Sequence, residues 1–177
     1  TKKGNADIGG DFYDDHLWLI LSTCSYIKES GDTDILSAPC GYADKQYASD
    51  AEKETLLHHL ETSIAYTMKK RGPNGLPLIG HADWNDCLNL TCFSWDPNES
   101  FQTTENKGEG SKAESLMIAG LFVVTGKDYV ALCKQLAKEA MESKEGEIAG
   151  LAEEDYLTEA ERMQQAVDEM NEAVKQH

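Results

Sequence analysis

The sequence predicts an all-α protein of helical hairpins interrupted by one very long loop. Three observations predict it. Apolar residues recur at spacings of three and four over most of the chain, no stretch alternates convincingly as a strand, and residues 72–110 carry neither period. Helical hairpins with a functional loop at one end suit an α/α toroid or a piece of one.

Taken in order, Asp14, Asp15 and His16 precede a strongly apolar segment running to Ser30. Asp14 or Asp15 is expected to cap it, "LWLIL" from Leu17 to be core, and Gly31 to end it. Pro39 and Gly41 break the connection that follows. Leu56, Leu60, Ile64 and Met68 then recur every fourth residue, with Leu57 beside them, as one face of a second helix. Lys69, Lys70 and Arg71 suit its last turn, before Gly72, because cations are favoured at the negative end of the helix dipole.

Helical period returns at Ser111. Met117, Leu121 and Val124 read as one stripe with Ile118 and Phe122 alongside, and Gly126 reads as its break. A fourth helix then carries Tyr129, Leu132, Leu136, Ala140 and Met141. A fifth carries Tyr156, Ala160, Met163, Val167, Met170 and Val174. The chain starts without Met and stops within a helical pattern, so residues 1–177 are expected to be part of one domain, cut at both ends.

Composition narrows the function classes. The chain has 177 residues, 40% of them apolar, enough to build a core. Its net charge of -16 opposes phosphate backbones and anionic membranes, so nucleic acid and membrane are not expected partners. Nor is any apolar run expected to reach the roughly 20 residues that span a bilayer. The five cysteines, Cys24, Cys40, Cys87, Cys92 and Cys133, match no disulfide scaffold and no zinc half-site. They are expected to be free thiols in a cytoplasmic protein, in which the two glycosylation-like triplets at Asn89 and Asn98 are chance matches. No metal is expected either. Asp83-x-Asn85 opens like a calcium loop, but Cys87 and Leu88 stand where an acid or Asn and a Gly are needed. His58 and His59 are adjacent and point to different sides of their helix. There is no nucleophile elbow and no Gly-rich phosphate loop.

The stretch "HADWNDCLNL", residues 81–90, lies in the long loop. An aromatic face stacks on the C–H groups of a sugar ring, Asp and Asn bond pairs of hydroxyls, and a carboxylic acid protonates a departing glycosidic oxygen. Trp84 supplies the ring, Asp86 or Asp83 the acid, and Asn85 and Asn89 the partners. The plainer alternative is that Asp83 and Asp86 cap a turn while Trp84 fills a gap.

"ADWNDCLNL", followed by "ESFQTTEN" and "KAESLMIAGLFV" with "DDHLWL" upstream, resembles the cellobiose phosphorylases of glycoside hydrolase family 94. The likeness runs from about Gly9 to the fourth helix, and "DWNDCLN" is its specific part. The resemblance implies part of an (α/α)6 barrel and reversible, inverting phosphorolysis of cellobiose to α-glucose 1-phosphate and glucose. It implies Asp86 as general acid and Trp84 as the ring packing on the glucosyl unit. Asp83 and Asn85 are expected beside it as substrate-binding residues, with no individual role given by the motif. Asp14, Asp15 and His16 match the pattern without an assigned chemistry. No cofactor is implied, since inorganic phosphate is a co-substrate and is already an anionic nucleophile. The residues that hold it are expected mostly outside this stretch. The likeness leaves a homodimer of the full-length parent open. Cellodextrin, chitobiose or laminaribiose phosphorylase is the nearest alternative. A non-catalytic helical module binding sugar or a protein partner is the other.

Overall fold

The computed structural model describes residues 13–42, 53–79 and 114–177. Among these are four α-helices: α1 (Asp15–Ser30), α2 (Leu56–Lys69), α3 (Leu116–Glu142) and α4 (Glu153–Gln176). The all-α expectation therefore holds, with two corrections. The predicted third and fourth helices are one, because α3 runs straight through Gly126. The chain also makes two minimal antiparallel ladders, β1 (Pro39–Cys40) with β2 (Glu54–Thr55), and β3 (Glu147–Ile148) with β4 (Leu151–Ala152). Strands of two residues have no alternation to detect.

Local chemistry sets the helix ends. Asp14 occupies the N-cap position of α1 but makes no side-chain cap bond there, so the expected capping role is only positional. Gly31 closes α1 at φ 72, its N–H donating to the Ile27 carbonyl at 2.8 Å, as a left-handed C-terminal glycine does. Thr55 caps α2 by accepting from the His58 N–H, and Ser115 caps α3 by accepting from the Ile118 N–H. At α4 the Asp155 carboxylate accepts from the Ala152 N–H at 3.0 Å, and three acids occupy the first turn.

Packing pairs the helices. α3 and α4 form an antiparallel hairpin turned by the β3–β4 ladder, and they approach each other closely at Gly126. A Cβ there would come within 2.4 Å of Met163 and 2.5 Å of Val167. Gly126 is a contact point, not a stop. α1 lies antiparallel to α2, with His16 at the start of one bonded to Thr67 at the end of the other, and also packs on α3. The core runs through Leu17, Ile20, Leu60, Ile64, Phe122, Tyr129, Leu136, Tyr156, Met163 and Met170.

Two predicted stripes need correction. On α3 the buried row is Ile118, Phe122, Thr125 and Tyr129, while Met117 (57% exposed) and Val124 (54%) face out. Within "LWLIL" only Leu17 and Ile20 are buried, and Trp18 is 51% exposed. By length and composition alone α3 is apolar enough to cross a membrane, which the division at Gly126 hid; here one face of it packs on α4.

These pairings gather one end of the bundle. The first residues of α1 and α3 and the last of α2 and α4 lie together, as the His16–Thr67 bond and an ion pair of 3.3 Å between Arg71 and Glu169 record.

Candidate active site

Asp83, Trp84, Asn85 and Asp86, the residues expected to carry the chemistry, lie outside the described residues, as do Asn89, Cys87 and Cys92. What is described is the frame from which that segment departs and to which it returns.

The departure point is built from "RGPNGLPL", residues 71–78. Arg71 pairs with Pro77 across a tight turn. Within it the Gly75 N–H donates to the Gly72 carbonyl at 3.1 Å, with Pro73 and Asn74 at the two central positions. Gly75 sits at φ 78, a conformation that strains any side chain. The Leu78 N–H then donates to the Lys70 carbonyl at 2.9 Å, tying the exit strand to the end of α2.

The return point is Glu114. It pairs antiparallel with Leu78, and the next N–H, that of Ser115, donates to the Pro77 carbonyl at 2.8 Å. The Glu114 carboxylate reaches back into the turn. Its Oε1 accepts from the backbone N–H of Asn74 at 3.0 Å and of Leu76 at 3.2 Å. Its Oε2 accepts from Asn74 Nδ2 at 2.7 Å. Gly72 leaves the space for this: a Cβ there would stand 2.6 Å from three atoms of the Glu114 side chain. Sequence reasoning missed Glu114 as the partner of Asn74, because nothing periodic links residues 40 apart.

At the same end lies a cluster of aromatic and polar side chains from "YDDH" and the C-terminus of α2. His16 Nε2 is 2.6 Å from Thr67 Oγ1. The Tyr66 ring takes Tyr13 and His16 edge-on, at centroid distances of 5.6 and 5.0 Å. Lys70 Nζ stands 5.4 Å from the Tyr13 ring centre and 5.7 Å from that of Tyr66, within cation–π range. Asp14 is buried at 2% exposure. The cationic last turn expected of α2 is thus spent on specific partners: Lys70 on two rings, and Arg71 on the Met68 carbonyl and Glu169.

A groove of about 900 Å³ runs along α4 from Leu157 to Gln176. Glu161, Asp168, Glu169 and Glu172 line it, so it repels phosphate. His58 and His59 part as expected. His58 faces Glu61 at 3.8 Å, and His59 meets the Cys40 carbonyl at 3.2 Å and the Tyr42 ring. Among the described residues no three metal-ligating side chains converge. Cys24, Cys40 and Cys133 are free, and burial pushes the Cys24 and Cys133 thiols up to about 12, so neither is a nucleophile at neutral pH.

The comparisons with known proteins bear on the whole chain. The family description "Glycosyl hydrolase 94 superfamily, catalytic domain" matches residues 1–177. The N,N'-diacetylchitobiose phosphorylase of Vibrio proteolyticus is 38% identical over 77 residues, 44% of this chain and 9% of that protein. Its counterpart in Vibrio furnissii is 35% identical over 77 residues, with the same shares. The 3-O-beta-D-glucopyranosyl-beta-D-glucuronide phosphorylase of Paenibacillus borealis is 30% identical over 76 residues, 43% of this chain and 9% of that protein. The chain thus matches about a tenth of the length of these relatives. It belongs to the glycosyl hydrolase 94 superfamily, whose catalytic domain is an (α/α)6 barrel.

Proposed function

We propose that this chain is part of the catalytic domain of a longer β-glycoside phosphorylase, in which Asp86 is the general acid. The match of residues 1–177 to the superfamily's catalytic domain carries this reading. The "DWNDCLN" motif supplies the acid and the ring. Asp86 donates its proton to the glycosidic oxygen as a phosphate oxygen attacks the anomeric carbon from the opposite face. The C1–O bond breaks, and an α-glycosyl phosphate and a free sugar leave. Asp86 must therefore hold a proton near neutral pH, which burial against Trp84 and the charge of bound phosphate would both favour. Trp84 is the platform for the donor sugar, with Asp83 and Asn85 as hydroxyl partners. Phosphate is the co-substrate, and no metal or other cofactor takes part.

The sequence reading favours cellobiose as substrate, whereas the relatives favour a neighbouring specificity, N,N'-diacetylchitobiose first. A cytoplasmic protein with reduced thiols is the compartment that fits this proposal, with phosphate and sugar as small-molecule partners.

The test is to assay the full-length protein with phosphate and, separately, N,N'-diacetylchitobiose, cellobiose and laminaribiose. One of them is expected to give a glycosyl 1-phosphate, and Asp86→Asn is expected to lower that turnover by about 10²–10⁴-fold. Turnover near wild type in a clean Asp86→Asn preparation, or no phosphorolysis of any of the three, would overturn the reading.

A further inference from the structure

We propose that Gly120 marks a second helix-crossing point on α3, where a further helix of the same catalytic domain, from outside residues 1–177, lies across the face that Leu116, Met117 and Val124 present. The inference rests on the reading that this chain is part of a longer catalytic domain.

Glycine inside a helix is disfavoured against alanine, so a glycine there calls for a reason. Gly31, Gly75, Gly146 and Gly150 have positive φ, and at Gly72 and Gly126 the missing Cβ makes room for Glu114 or for Met163 and Val167. Gly120 has neither reason. It lies inside α3 without a positive φ, and a Cβ built on it meets nothing within 4 Å among the described residues. What Gly126 does for α4 on one side of α3, Gly120 is placed to do on another.

The residues around it complete the pattern. Leu116, Met117 and Val124 stand one helical turn to either side of Gly120 on the same face, and all three are exposed. A small residue ringed by large apolar ones is the kind of hole that a side chain of a facing helix fills. The apolar part of this face begins just after Glu114, at the root of the long segment, and ends at Val124. Beyond it Lys127, Lys134 and Lys138 are exposed. From Leu116 to Val124 is about 12 Å, which is the width of one helix with its side chains. A bilayer needs about 30 Å of apolar length, so the footprint fits a crossing helix and not a membrane. Leu116, Met117, Gly120 and Val124 carry no side-chain hydrogen-bonding group for a sugar or a phosphate, so the partner is an apolar row. The same polypeptide is the source that fits. The matched relatives are about ten times as long as the stretch they share with this chain, and four described helices fall short of a closed (α/α)6 barrel.

The experiment uses the full-length protein and turns on a sign. At an open helical site Gly120→Ala removes the cost of glycine and raises Tm. Under a crossing helix the new methyl is overpacked and Tm falls, by about 2 °C. A fall is expected, and an unchanged or raised Tm overturns the inference. The occupant is read separately by placing the photo-crosslinking residue p-benzoylphenylalanine at position 117, irradiating, and mapping the product by digestion and mass spectrometry. This measurement does not depend on how Gly120→Ala folds. A cross-link to a peptide of the same polypeptide outside residues 1–177 is expected. No cross-link, one confined to residues 1–177, or one joining two copies on a denaturing gel overturns the inference. Phosphorolysis by the wild type is assayed beside these. If no glycosyl phosphate forms while the expected cross-link does, the proposed activity fails and the crossing stands; if activity is present and the cross-link is not, only the crossing fails.

Discussion

Gly126 shows how one residue can carry opposite meanings in sequence and in structure. A glycine inside a helix costs about 1 kcal/mol against alanine, and that propensity marks Gly126 as a helix end. In the fold it is a point where α4 lies close against α3, with Met163 and Val167 facing its bare Cα. Gly126→Ala gains the propensity but meets Val167, whose branched side chain has little freedom to turn away. Overpacking costs about 1–3 kcal/mol, so the expected net effect is a loss of about 1 kcal/mol. Thermal denaturation of the full-length variant measures it. Adding Val167→Ala should lower stability by less than the sum of the single changes, since the new methyl fills the space vacated. A Gly126→Ala protein more stable than wild type would show that α4 yields easily and that propensity wins. Asp86 and Glu114 differ in how legible they are. Asp86 is read from its own neighbours, "DWNDCLN". Glu114 gains its meaning only when the fold brings Asn74 and Leu76 to it.

At the scale of elements, periodicity located the helical stretches, divided one of them and misjudged its first face. In "LMIAGLFVVTG" two adjacent rows are both apolar, so the period cannot choose between Met117/Leu121/Val124 and Ile118/Phe122/Thr125. The contact with α4 chooses, and the second row is buried. On α4 only one row is apolar, and Tyr156, Ala160, Met163, Val167 and Met170 are buried as their spacing predicts. The turn between β3 and β4 was hidden because its residues are unusual for their conformation. Ala149 has φ 49 and Gly150 φ 79, both in the left-handed region that a two-residue hairpin of this hand requires. Alanine there is strained, and Asn tolerates the region better. Ala149→Asn is therefore expected to raise stability by about 0.5–1 kcal/mol, read as a higher Tm with unchanged activity, because the hairpin lies at the opposite end from the Glu114 root. A fall in Tm would mean that the Ala149 methyl, which packs against the core, contributes more than the backbone strain costs.

For the molecule as a whole, the four described helices stand against the twelve of a closed (α/α)6 ring. α1 turns Trp18 and Tyr26 outward, and α3 turns Met117 and Val124 outward. Large apolar side chains of this kind on two helices of one bundle favour association when left in water. The chemistry is incomplete in a second way. On the proposed reading Asp86 supplies a proton, but the groove along α4 carries four acids against Arg71 and Lys134 and is poorly suited to phosphate. Approximation of nucleophile and anomeric carbon supplies several kcal/mol of the rate, so an acid without a phosphate site is a poor catalyst. Residues 1–177 expressed alone are therefore expected to elute from size-exclusion chromatography as associated species. They are expected to form no detectable glycosyl phosphate from N,N'-diacetylchitobiose or cellobiose. The full-length protein assayed beside them provides the reference rate. A monodisperse monomer with activity near that reference would show that the outward apolar residues need no cover and that phosphate is held within this stretch, in residues 80–113 among others.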